Sequence, residues 1–230
     1  MMAKMTAGRS VDQRVGEIVR RLRREYGKAA LPRRLDPLGE LIFTVLSQHT
    51  SDKNTYPAYE SLRARFDDWD EVRRAQVRSI VAAIRRAGLA NQKAPRIKGI
   101  LQEIHRREGR TSLDSLDAMP TDAAADYLGS LHGVGPKTVA CVLLFACGRP
   151  VLPVDTHVYR LGKRLGLIES TISAEVAHAV LGRLVPDRLV LDFHVKLLDH
   201  GRAVCKAQNP RCTRCVLLDL CPAGQSKVTA

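Results

Sequence analysis

Four cysteines, Cys205, Cys212, Cys215 and Cys221, stand in the spacing C-x6-C-x2-C-x5-C. A stretch this short brings four thiols to one centre only as a compact loop, so ligation rather than helix or strand propensity dictates its conformation. Soft thiolates select zinc or an iron–sulfur cluster. Structural zinc sites more often pair two C-x2-4-C knuckles across a spacer, whereas here a single C-x2-C is flanked by two isolated cysteines. Four cysteines equally hold one [4Fe–4S] cube, and spacing leaves both groups open. The intervening Lys206, Asn209, Pro210, Arg211 and Arg214 are polar loop sequence, which argues against four inert core cysteines. The other two, Cys141 and Cys147, lie in the longest apolar run, 139–147, and read as packing residues.

Outside the cluster the pattern is helical. Val11, Val15, Ile18, Val19 and Leu22 recur at helical spacing, as do Leu38, Leu41, Ile42, Val45 and Leu46. Ser10 is placed to cap the first helix, Asp36 precedes a first-turn Pro37, and Ser173 precedes an apolar pattern over 174–184. Further helices are expected around 51–66, 77–86, 91–107, 121–130, 136–147, 157–165 and 189–200, and no segment alternates over a strand length. The chain is predicted to be all-α, with many short helices in orthogonal packing. Gly148-Arg149-Pro150-Val151-Leu152-Pro153 interrupts any helix and marks a boundary between lobes.

Lys and Arg number 37 against 24 Asp and Glu, a net charge of +13, which points to a polyanionic partner. The run 139–147 is too short to cross a bilayer, and no secretory segment is present. A cytoplasmic protein is expected, nucleoid-associated in a prokaryote. In that reducing compartment clustered cysteines serve metal binding or catalysis rather than disulfides.

Leu131-His132-Gly133-Val134-Gly135-Pro136-Lys137-Thr138 reads as a helix end, a tight turn and a new helix from Pro136. The two glycines allow positive φ and a close approach, and the amides that follow point at an anion. A lone G-x-G is more often an ordinary connection between helices. Its context is the Lys137 that follows it, then the Gly/Pro-rich linker, then Val154-Asp155-Thr156-His157 opening another helix.

This ordered set resembles the endonuclease III family of helix–hairpin–helix DNA glycosylases. In that family L-x-G-V-G-x-K-T is followed by V-D-T-H, then by H-G-R leading into C-x6-C-x2-C-x5-C. The matching residues are Leu131 to Thr138, Val154 to His157, His200-Gly201-Arg202 and the four cysteines. The resemblance implies two helical lobes flanking a DNA-binding groove: a six-helix barrel lobe with the hairpin over 30–149, and an iron–sulfur lobe from 1–29 plus 150–230. It also implies a [4Fe–4S] cluster on the four cysteines and DNA backbone contacts from Gly133, Val134 and Gly135. Lys206, Arg211 and Arg214 become phosphate contacts, with a solubility role as the alternative.

The implied activity is base excision repair by a monomer acting on double-stranded DNA with damaged bases or abasic sites. Lys137 is the nucleophile, Asp155 assists it, and the resulting Schiff base permits strand cleavage by β-elimination. Oxidised pyrimidines are the family's expected lesions. The segment Leu46 to Asp52 resembles the pocket-lining L-S-x-Q-x-x-D, but His49 stands in the family's glutamine position with Gln48 just before it. Gly88-Leu89 resembles the wedge loop, making Leu89 the intercalating residue or, alternatively, a helix-terminal core leucine. The stretch 111–125 is longer than in the usual member, without a functional account. Rival readings are a monofunctional mismatch glycosylase, whose relatives carry serine or tyrosine where Lys137 stands, and a non-catalytic DNA-binding protein using a cluster or zinc.

Overall fold

The computed structural model describes residues 11–30 and 34–229, so the expected cap Ser10 lies outside the described residues. Among these residues the chain is all-α. Its helices are α1 (Val11–Tyr26), α2 (Pro37–Ser47), α3 (Asp52–Arg65), α4 (Trp69–Arg74), α5 (Val77–Ile84), α6 (Ala90–Glu108), α7 (Thr121–Gly129), α8 (Pro136–Cys141), α9 (Thr156–Arg164), α10 (Ala174–Leu184), α11 (Val190–Ala203) and α12 (Pro222–Thr229). No described helix is long and apolar enough to cross a membrane. The chain divides into two compact units, one drawn from Met1–Leu31 with Pro150–Ala230 and the other from Pro32–Arg149.

In the unit 32–149, α2 is the central element. Asp36 accepts from Gly39 N at 2.9 Å and Pro37 fills the first turn, so the helix starts where its cap and proline dictate. Leu38, Leu41, Ile42, Val45 and Leu46 are all buried, and α2 packs against α3, α6 and α8. The stretch predicted as one helix over 136–147 is not uniform: α8 ends at Cys141 and Val142–Ala146 winds as a π-helix. The run is apolar on every side. The wider turn brings Val142, Leu143, Leu144 and Ala146 all into the core beside α2. The long stretch 111–125 packs within this unit, where Thr111 Oγ1 donates to Asp70 Oδ1 at 2.8 Å and Arg149 Nη2 to Leu116 O at 2.5 Å.

In the unit formed by 11–30 and 150–229, α1 lies against α11 with Val15, Ile18, Val19 and Leu22 buried. Its polar side is tied to distant parts of the chain. Arg23 Nη2 donates to Asp192 Oδ2 at 2.5 Å, Ala29 N to Asp192 Oδ1 at 3.0 Å, and Arg14 Nη2 to Leu220 O at 3.0 Å. The Arg23 guanidinium holds the Asp192 carboxyl below its ordinary range.

Candidate functional site

The glycine hairpin joins α7 to α8. Val134 is buried and its N–H returns to Leu131 O at 3.1 Å, closing the turn, while Gly133 and Gly135 are exposed. Only one of the two glycines adopts the left-handed conformation expected of both. Gly133 has φ +80°, whereas Gly135 is extended at φ −96° and caps α8 through its carbonyl, which accepts from Thr138 N and Val139 N. A side chain at Gly133 is disfavoured for a second reason, because a Cβ there would stand 2.7 Å from Arg96 Cδ and Nε and force that side chain aside. Lys137 is half-buried in the first turn of α8.

Arg96, on α6, carries the hairpin to the pocket segment. Its Nη1 donates to Gln48 Oε1 at 2.8 Å, and Gln48 Nε2 donates to Thr138 Oγ1, the residue after Lys137, at 3.5 Å. Gln48 is thus engaged at both ends of its amide. His49, exposed with φ +53°, and Leu89, 48% exposed with φ +49°, present themselves on two neighbouring loops. The exposure of Leu89 excludes the reading as a core leucine. Thr50 Oγ1 donates to Ala87 O and so bonds the first loop to the second.

Glu40 is a site neighbour the sequence reading passed over. It sits in the first turn of α2, where an acidic residue ordinarily faces solvent, yet it is 8% exposed and accepts from Thr44 Oγ1 at 3.0 Å. Burial pushes its carboxyl up to about 7, opposed by the Thr44 hydrogen bond and by the positive charge of Lys137.

Asp155 belongs to the other unit. It caps α9, its Oδ1 accepting from His157 N at 2.9 Å and Val158 N at 2.7 Å. The approach to it is fixed from α11 by buried His194, whose Nδ1 donates to Pro153 O at 2.8 Å. In the H-G-R stretch, Gly201 allows α11 to touch α9, since a Cβ would stand 2.5 Å from His157 Nδ1.

Cys205, Cys212, Cys215 and Cys221 line one cavity of about 200 Å³, with Arg164, Arg211 and Gly224. Donors point at the sulfurs: Leu217 N at 3.4 Å from Cys215 Sγ, Gly224 N at 3.3 Å from Cys221 Sγ, and Arg164 Nη1 at 3.2 Å from Cys205 Sγ. Such bonds stabilise thiolates. Burial, opposed by the Leu217 amide and reinforced by the three neighbouring cysteines, pushes the Cys215 thiol up to about 11, so deprotonation calls for the positive charge of a bound metal. A side chain at Gly224 would stand 3.3 Å from Cys221 Sγ, within the cradle itself. Among the described residues no three His, Cys, Asp or Glu side chains converge on a single ion. Four thiols spaced around a cavity, three of them met by a donor, fit a multi-iron cluster better than one tetrahedral zinc. Lys206, Arg211 and Arg214 are all exposed on this loop. Arg164 braces it by donating to Lys206 O at 2.7 Å and Ala207 O at 2.9 Å.

Comparison with known proteins fits this geometry. Residues 42–187 match the model of the HhH-GPD superfamily base excision DNA repair proteins, and residues 205–221 match the iron–sulfur binding domain of endonuclease III. Endonuclease III of Thermotoga maritima is 34% identical over 211 residues, covering 92% of each chain. A provisionally named DNA glycosylase of Arabidopsis thaliana is 39% identical over 165 residues, which cover 72% of this chain and 56% of that relative. A solved structure of a trapped endonuclease III–DNA covalent intermediate superimposes with a TM-score of 0.81 at 28% identity, covering 94% of this chain and 98% of that one.

Proposed function

The chain belongs to the HhH-GPD superfamily of base excision DNA repair proteins, and within it to the endonuclease III family, and from that premise we propose that it is a bifunctional DNA glycosylase and abasic-site lyase. The observation that carries the second activity is Lys137, half-buried in the first turn of α8 directly after the exposed Gly133–Gly135 hairpin. A hydroxyl at that position could not form a Schiff base with the sugar. An amine forms a covalent bond that can go on to break the strand.

A damaged base is out of reach inside a stacked duplex and must be rotated out, at a cost of a few kcal/mol. Gly133, Val134 and Gly135 grip the backbone beside the displaced nucleotide, while Lys206, Arg211 and Arg214 contact phosphates from the cluster loop. Leu89 enters the stack, and Gln48 and His49 line the space around the displaced base.

The neutral Lys137 amine attacks C1′. The N–C1′ bond forms as the C1′–base bond breaks, and the base departs with a proton. Opening of the sugar gives a Schiff base, loss of a C2′ proton follows, and the 3′ phosphate is expelled. Lysine is protonated at neutral pH when free, so its proton has to be taken up before attack. Asp155 serves as that acceptor and balances positive charge developing on the sugar, while capping α9.

The four cysteines hold a [4Fe–4S] cluster whose contribution is structural, fixing the basic loop in the shape that meets phosphate. A reducing cytoplasm keeps these thiols available for it, and the protein acts as a monomer.

The test is a duplex carrying one oxidised pyrimidine. Release of the free base together with a strand broken at the lesion is expected without added alkali. Base release that leaves an intact abasic strand would make the enzyme monofunctional.

A further inference from the structure

Among the described residues, three non-glycine positions have left-handed backbone, and two of them are His49 and Leu89. Asparagine and histidine visit that conformation more readily than most residues, whereas for the leucine it costs about 1 kcal/mol or more. Such strain persists only where the surroundings over-determine it. What surrounds both loops is one buried side chain, Lys93 of α6.

Lys93 is 2% exposed, and its ammonium spends all three protons on neutral oxygens. Nζ donates to Leu46 O at 2.6 Å, to Thr50 Oγ1 at 2.8 Å and to Ala87 O at 2.9 Å. Leu46 lies in the last turn of α2, just before Gln48 and His49. Ala87 ends the short helix Arg85–Ala87, just before Gly88 and Leu89. Both carbonyls are unsatisfied at helical C-termini, where the backbone carries partial negative charge, so a single cation caps two helical ends at once. Thr50 completes the knot by donating to Ala87 O. Burial and the charge of Arg96 push the Lys93 ammonium down to about 8, as expected of a cation held by dipoles instead of a carboxylate.

We propose that Lys93 is a positioning residue that joins the His49 loop and the Leu89 loop into one rigid two-pronged element, fixing the spacing at which the two side chains enter DNA around a displaced base. This deepens the glycosylase reading above and rests on it. Lys93 touches neither substrate nor reacting atoms. Its contribution falls on extrusion of an intact base, the step that needs both prongs at a set separation. Cleavage at an abasic site, where no base has to be forced out, depends on it much less.

The experiment compares wild type with Lys93→Met on two duplexes, one carrying thymine glycol and one a preformed abasic site. 2-Aminopurine beside the lesion reports unstacking. Single-turnover base release by the variant should fall about 30-fold or more, with loss of the 2-aminopurine signal, while cleavage of the abasic duplex changes by about threefold or less. Thr50→Val, which removes one acceptor and keeps the cation, should show the same imbalance to a smaller degree and keeps the test open should Lys93→Met not fold. An equal loss on both duplexes in a folded variant, or an unchanged 2-aminopurine signal, would overturn the proposal. Wild-type protein inactive on both duplexes would instead overturn the glycosylase reading itself.

Discussion

Arg96 grips Gln48: its Nη1 donates to Gln48 Oε1 at 2.8 Å, and the same guanidinium side chain lies against the turn of the hairpin at Gly133. Pocket and hairpin are therefore mechanically linked within one unit. A change in the turn is felt at the pocket through Arg96.

Gly133→Ala tests that link. The left-handed φ alone costs about 1 kcal/mol, and the new Cβ forces Arg96 aside and breaks its bond to Gln48. A loss of about 1–2 kcal/mol is expected in denaturant unfolding, together with weaker binding to DNA of any sequence. Unchanged stability would mean that the turn does not constrain Arg96.

Glu40 gives a pH signature. Its carboxyl titrates at about 7 in the fold against an ordinary 4.5, so between these values the unfolded chain has released a proton that the folded chain keeps. Stability from this group is complete below pH 4.5 and is lost as pH rises through 7, by up to about 3 kcal/mol. Glu40→Gln keeps an acceptor for Thr44 and removes the titration. Its melting temperature should match wild type near pH 4.5 and exceed it near pH 8, and a constant difference across that range would refute the assignment.

These two sites show what a sequence makes legible. Leu131 to Thr138 and Cys205 to Cys221 are contiguous, so turn, helix start and thiol spacing can be read directly along the chain. Apolar stripes such as Val15, Ile18, Val19 and Leu22 announce their burial in the same way. Lys93, Arg96 and Glu40 cannot be read like this, because a charged residue on a helix ordinarily faces water, and what buries them comes from tertiary packing. The helices α4 and α12 escaped notice because neither carries an apolar stripe at helical spacing, with one buried residue each, Val72 and Gly224. The π-helix Val142–Ala146 escaped because an apolar run has no polar face from which to read its pitch.

Asp155 is expected to separate structure from chemistry. Asparagine caps a helix about as well as aspartate, so Asp155→Asn should unfold within about 0.5 kcal/mol of wild type and bind DNA normally while base release drops severely. Asp155→Ala should lose about 1 kcal/mol of stability in addition. If the asparagine variant turns over normally, the carboxylate is a cap and nothing more.

The basic loop has an electrostatic signature. Each phosphate contact removed lowers the slope of log K against log salt by about 1, so Arg211→Gln with Arg214→Gln should lower it by about 2 without altering lesion preference. An unaltered slope would return these exposed arginines to a role in solubility.

In the proposed chemistry Lys137 bonds covalently to the sugar. Borohydride added to the protein on a duplex with an abasic site should reduce the Schiff base and leave one stable protein–DNA adduct, seen as a shifted band and mapped by mass spectrometry to Lys137. The Lys137→Ala variant should bind the same duplex and give no adduct. Absence of any adduct with wild type, or an adduct of undiminished yield in Lys137→Ala, would rule out Lys137 as the nucleophile.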